Sequence, residues 1–241
     1  MKLVKDIKTK YLIGIDIETV KIGEYEYLSD EYKLAWGYKN KNEGVLRSEE
    51  ELKEIWDDSA SLYAEFSKVC AISLTYLNKS GDGLTCKEFY GDEELKILAE
   101  VGIMLNKIKK HDHNFRLIGH AAKYFDYPYL CKRYVINELN IPTILDTAHL
   151  KPWESTNLCT NMDIWKMGGT GPGSSLIALC TALKLPISKN LMTGDQVGNF
   201  YVDGKFEEIG RYCSKDAISV INIFRKIKKE KIFQFDEVKY S

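Results

Sequence analysis

Leu12-Ile13-Gly14-Ile15-Asp16-Ile17-Glu18-Thr19 is the stretch from which the rest of the chain becomes readable. Apolar and β-branched residues at successive positions over residues 11–17 mark a central strand covered on both faces, because a strand with one wet face would alternate. Asp16 interrupts that run between Ile15 and Ile17, and Glu18 follows two positions later. Strand side chains have a period of two, so both acids leave the same face and can reach one ion. A carboxylate on a covered face is costly unless a cation or hydrogen-bond donors compensate it. The pair is therefore either a cation site or an ordinary polar strand terminus, and the strand alone leaves both readings open.

The elements around it indicate one α/β domain over residues 1–241 with a mixed sheet that starts as an antiparallel three-strand meander. Residues 69–76 and 84–90 read as a hairpin, joined by the turn-forming Asn78-Lys79-Ser80-Gly81-Asp82-Gly83. Asp92 is placed to cap a helix whose apolar residues Leu95, Leu98, Ala99, Gly102, Ile103 and Ile108 follow helical spacing. A short strand at 116–119 and a helix over 126–139 come next, with Pro128 tolerated in the first helical turn. Residues 143–147 read as a strand, and helices are expected near 174–183, 195–201 and 207–229. The polar, Tyr- and Lys/Glu-rich segment at about 20–62 reads as an insertion with some helix, not as a second domain.

Three further side chains join the first pair. Asp126 precedes a helix, which by itself describes an N-cap, but it also follows a strand expected to lie beside the Asp16 strand. Tyr212 and Asp216 are one helical turn apart on a stripe that carries Ile209, Cys213, Val220, Ile223, Phe224 and Ile227. An aspartate in that stripe points inward, while Arg211 and Lys215 lie on other faces, so its missing partner is read as a metal ion.

Composition narrows the class without naming a partner. An apolar fraction of 44% supports a real core, and a formal net charge of -1 supplies no global field for nucleic acid. The six cysteines show no C-x-x-C spacing and sit in apolar surroundings, as reduced core thiols do. No signal-peptide run and no stretch approaching the roughly 20 residues of a membrane span is present, so an intracellular, cytoplasmic protein is expected.

Asp-x-Glu at the end of the first strand, an Asp preceded by Phe at a middle helix, and Tyr-x-x-x-Asp in a late helix resemble the three motifs of the DEDDy 3′-5′ exonucleases. The resemblance is to the stand-alone group similar to the proofreading exonuclease domain of family B DNA polymerases. It continues through Ile55-Trp56, Ala64-Glu65-Phe66, Lys151-Pro152-Trp153-Glu154, Asp163-Ile164-Trp165-Lys166-Met167-Gly168-Gly169 and Ser175-Leu176. One departure stands out: relatives usually carry Asn five residues before the second-motif Asp, and this chain has Ala121 there beside His120. The histidine branch would need His where Arg211 stands, whereas Tyr212 fits the tyrosine branch.

The resemblance implies a ribonuclease H-like fold with helices on both faces of the sheet, and a catalytic set of Asp16, Glu18, Asp126, Tyr212 and Asp216. It further implies that the four carboxylates hold two divalent cations, Mg²⁺ or Mn²⁺, which suit hard oxygen ligands. Such a pair would activate water and stabilise the leaving 3′ oxygen. Tyr212, with a phenol reference pKa of about 10, would orient the water instead of acting as base. The expected substrate is a nucleic-acid 3′ end, single-stranded DNA in the leading reading. An RNA-trimming exonuclease similar to ribonuclease D and a non-catalytic nucleic-acid-binding module remain as alternatives.

Weaker signals have ordinary explanations. The glycines at 168–173 lack the Lys of a phosphate loop, because Ser174 follows Gly173. His111-Asp112-His113 sits in a polar, Lys-rich run, and the cations between Arg225 and Lys231 suit the negative end of a helix. Tyr124, Phe125 and Tyr127 are candidates for stacking on a terminal base.

Overall fold

The computed structural model describes residues 2–151, 154–187 and 192–241; Pro152 and Trp153 of the Lys151-Pro152-Trp153-Glu154 motif lie outside the described residues. A short helix α1 (Lys2–Asp6) leads into β1 (Leu12–Lys21), which is longer than its apolar run because it continues through both acids. Helices α2 (Asp30–Lys39) and α3 (Glu49–Ser59) follow, then the hairpin β2 (Ser67–Leu77) and β3 (Leu84–Tyr90). The remaining elements are α4 (Glu94–His111), β4 (Arg116–Gly119), α5 (Asp126–Ile136), β5 (Leu158–Cys159), α6 (Leu176–Leu183), α7 (Val197–Val202), α8 (Phe206–Lys228) and β6 (Lys239–Tyr240).

The strands form one sheet in the order β5-β4-β1-β2-β3-β6. β1-β2-β3 is an antiparallel meander, while β4 runs parallel to β1, β5 to β4 and β6 to β3. The mixed α/β fold expected from the sequence is thus present. β1 is covered on both sides, and its residues sort by parity. Ile13, Ile15 and Ile17 enter a core shared with Leu98 and Val101 of α4 and Leu130 of α5. Leu12 meets Ile221 and Phe224 of α8, and Val20 meets Ile209 and Cys213 of the same helix. Asp16 and Glu18 therefore leave β1 on the α8 side.

The segment between β1 and β2 packs around its own aromatic cluster. Trp36 and Trp56 meet edge to face with ring centroids 5.1 Å apart, and their indole N–H groups donate to Leu52 O and Gly23 O at 2.9 Å each. Ser48 and Glu51 cap α3 reciprocally.

Several expectations need correction. Residues 143–147 form a turn, with the Leu145 and Asp146 N–H groups both bonded to Pro142 O, and the strand on that side is β5. Ile144 and Leu145 are buried in the main core from that turn, so their apolar character reports packing and not extension. Asp92 caps nothing: α4 starts after Glu93, which makes no side-chain cap bond. Asp126 is the first residue of α5, not its cap, and that helix ends at Ile136. Among the described residues no helix is long and apolar enough to cross a membrane. All six cysteines are free, and five are buried.

Candidate active site

The site forms where β4 ends and its parallel neighbour β1 runs on past it. β4 pairs with β1 only as far as Gly14, so Asp16 and Glu18 project past its last residues, beside the turn that carries the chain from Gly119 into α5. Asp126 opens α5 there and is only 4% exposed. Its carboxylate is favoured by its own backbone N–H and by that of Ile17, the residue between the two strand acids. A register shift between Glu18 and Thr19, with Cys70 as the extra residue on β2, marks the end of regular pairing at this point.

From the other side, α8 lies across β1 at close range. A Cβ on Gly14 would stand 2.5 Å from Ala217 O and 2.8 Å from Ile221 Cγ1, so only glycine lets the helix come this near. One turn along, the Cys213 thiol donates to Asp16 O at 3.2 Å, and Ser73 Oγ of β2 reaches Gly210 O at 3.5 Å. These contacts bring Asp216 to the strand acids. Tyr212, one turn before it, is half-buried against Val197, Phe200 and Tyr201. Tyr212 and Asp216 also line a cavity of about 140 Å³ walled by Leu176, Ile177, Cys180 and Met192.

The acids act on one another electrostatically. Burial pushes the Asp16 carboxyl well up, and Asp216, Glu18 and Asp126 push it further. Glu18 is raised well above its ordinary value by burial, then by Asp216 and Asp126. Asp126 and Asp216 are each pushed up to about 7, chiefly by burial. Asp16, Glu18 and Asp216 keep some exposed surface while dense protein surrounds them, as at the floor of a narrow cleft. Among the described residues, no basic side chain acts on Glu18, Asp126 or Asp216. The Tyr212 phenol is pushed far up by burial and by Asp216, Glu18 and Asp16, and so stays protonated.

The donor chemistry fits hard divalent cations: every candidate ligand atom is a carboxylate oxygen, and like charges press on one another. Among the described residues, however, no three His, Cys, Asp or Glu side chains form a group that could hold a metal ion as they stand. The backbone brings the acids near enough to act on one another, short of a ligand cluster.

All five residues singled out in the sequence meet here, whereas the aromatic candidates divide. Tyr127 is buried with its hydroxyl on Leu158 O at 2.7 Å and cannot stack on a base; Tyr124 is 61% exposed; Phe125 packs on Tyr129 at 5.1 Å. Of the C-terminal cations, Arg225 binds Lys231 O and Lys228 binds Ile7 O, so both hold the fold. The sequence reading passed over Gly14 and the conformation of Ala121, which has φ 58°. A lone glycine inside a strand, two residues before an acid on the same face, was the available signal for the first. His120 ties the same turn to the glycine-rich segment, pairing with Thr160 Oγ1 at 2.8 Å and Ser174 O at 2.9 Å.

A mixed sheet with mutually repelling carboxylates gathered on its central strand, beside the end of β4, defines an α/β protein with an acidic cleft. The chain belongs to the family of predicted 3′-5′ exonucleases related to the exonuclease domain of PolB, whose model matches residues 60–240. Asp126, Tyr212 and Asp216 fall inside the matched residues, and Asp16 and Glu18 precede them. A comparison with curated proteins finds no match.

Proposed function

We propose that this chain is a metal-dependent 3′-5′ exonuclease of the DEDDy type, hydrolysing the terminal phosphodiester at the 3′ end of single-stranded DNA. The observation that supports the reading is the mutual electrostatic pressure of Asp16 and Glu18 from β1, Asp126 from α5 and Asp216 from α8, with no basic side chain acting on the last three among the described residues. Groups this costly to bury persist where a cation repays them. Those four side chains would hold two Mg²⁺ or Mn²⁺ ions, which when bound neutralise the phosphate, acidify water and stabilise the departing oxygen.

The chain's own residues do the rest. Asp126, held by the Ile17 N–H, sets the distance between the α5 and β1 sides of the cleft. Asp216 closes the α8 side, where Gly14 permits the approach. Tyr212 keeps its proton, so it orients the attacking water through a hydrogen bond and does not remove a proton from it. Leu176 and Met192 beside Tyr212 present apolar surface to that side of the cleft.

The test incubates single strands labelled at either end with Mg²⁺, Mn²⁺ or chelator, using matched DNA and RNA. Stepwise shortening from the 3′ end, dependent on metal and abolished by Asp16→Ala, is the expected result. Equal trimming by Asp16→Ala, or shortening from the 5′ end, contradicts it. Preference for RNA would replace the DNA assignment and leave the mechanism standing.

A further inference from the structure

The segment between β1 and β2 carries a groove that the catalytic reading does not use. It has a volume of about 640 Å³ and is lined by Tyr32, Ala35 and Lys39 of α2, by Tyr63 and Phe66 before β2, and by Lys132 of α5. Its floor is aromatic: Tyr32 meets Phe66 edge on at 6.3 Å, and the Lys39 ammonium lies 3.7 Å from the Tyr63 ring centroid. Outside it, Lys41 covers the exposed Tyr38 ring at 3.9 Å.

Two observations say what the groove faces. The Thr19 hydroxyl, next in chain to Glu18, donates to Ser61 O at 2.7 Å, and the Tyr129 hydroxyl of α5 reaches the same carbonyl at 3.3 Å. The stretch that supplies Tyr63 and Phe66 is thus bonded directly to the edge of the acidic cleft, and α5, which begins with Asp126, supplies Lys132 to the rim.

Charge is also divided within the segment. From Lys33 to Arg47 it carries Lys33, Lys39, Lys41 and Arg47 against Glu43, whereas α3 carries Glu49, Glu50, Glu51, Glu54, Asp57 and Asp58 against Lys53. Lys33 and Arg47 pair with Glu49 and Glu51 of α3 at 3.7 and 3.6 Å, so Lys39 and Lys41 are the cations of the first part that a phosphate backbone would meet. Inside the groove Glu31 and Glu65 offset Lys39 and Lys132, so its grip comes from ring stacking more than from net charge.

Resting on the exonuclease reading, we propose that this groove carries the single strand upstream of the cleaved 3′ end, its unpaired bases stacking on the exposed Tyr32 while Lys39, over the Tyr63 ring, and Lys132 follow the backbone. Aromatic platforms of this kind bind without choosing sequence, which is what progressive trimming requires. The occupant is an unpaired strand and not a duplex, because the half-exposed Tyr32 ring offers a surface that only an unstacked base can meet.

The test compares oligothymidylates of roughly 4 and roughly 16 nucleotides, the short one confined to the cleft and the long one able to reach the groove. The full chain should bind and trim the long strand the more efficiently. The triple variant Tyr32→Ala, Lys39→Ala, Lys132→Ala should lose about tenfold of affinity for the long strand and with it the length preference. Fluorescence anisotropy in chelator measures binding without turnover, so the groove is tested even if neither strand is shortened and the catalytic reading fails. Absence of a length preference in the wild-type chain overturns the proposal. Equal losses on both lengths also overturn it, as does an unchanged long-strand affinity.

Discussion

Ala121 shows what a single residue can conceal. With φ 58° it occupies the left-handed region, where a Cβ is unfavourable and Asn is tolerated best among the larger residues. Its carbonyl nonetheless accepts from the Tyr124 and Phe125 N–H groups at 2.8 and 3.2 Å, closing the turn that delivers Asp126. Ala121→Asn should therefore stabilise the chain by about 0.5–1 kcal/mol. A thermal melt measures this, and an unchanged or lower midpoint would deny that the turn is strained. Tyr212→Phe keeps the ring and removes the hydroxyl, so turnover should drop by about 10²-fold while Mn²⁺ affinity measured by calorimetry holds. A comparable fall in metal affinity would make the phenol a ligand. The spacings of Asp16 with Glu18 and of Tyr212 with Asp216 were legible because strand and helix periods fix which side chains share a face. The left-handed turn was not, because nothing about alanine advertises a positive φ.

Among elements, the pairing of β1 with α8 governs the site. Gly14→Ala would drive a methyl group into Ala217 O and Ile221, and overpacking of this sort costs about 1–3 kcal/mol. Because the displaced helix carries Asp216, activity should fall further than the loss of folded protein accounts for. Melting and turnover measured on the same preparation check this, and proportional losses would reduce Gly14 to a packing residue. The meander and the long C-terminal helix were readable from periodicity, as β2, β3 and α8 confirm. The strand expected at 143–147 failed for a definite reason. Ile144 and Leu145 reach the core from a turn after Pro142, and Asn157 bonds both Ile144 O and Leu117 N, fixing that turn against β4. A bonding pattern that joins residues 40 apart leaves no local signature. β5, with two residues, is likewise too short for any period to register.

At the scale of the whole molecule the acids act as a unit on stability. Asp126 and Asp216 are each raised to about 7, whereas unfolded carboxylates titrate near about 4. Groups raised in the folded state favour folding while protonated, so their contribution is complete below about pH 4 and lost as the pH climbs through about 7. In chelator the melting midpoint should decline across that window, and Mg²⁺ or Mn²⁺ should restore it at about pH 8. A midpoint indifferent to either ion at the higher pH would remove these carboxylates from the ligand set. The thiol of Cys213 touches the carbonyl of Asp16 across 197 positions of sequence. Such a contact forms late, since the intervening chain must first be ordered. A nascent polypeptide would therefore carry its first two acids through most of its synthesis as inert groups. Hydrolytic power would arrive all at once, when the last long helix docks, and in refolding experiments it should lag behind the recovery of circular dichroism.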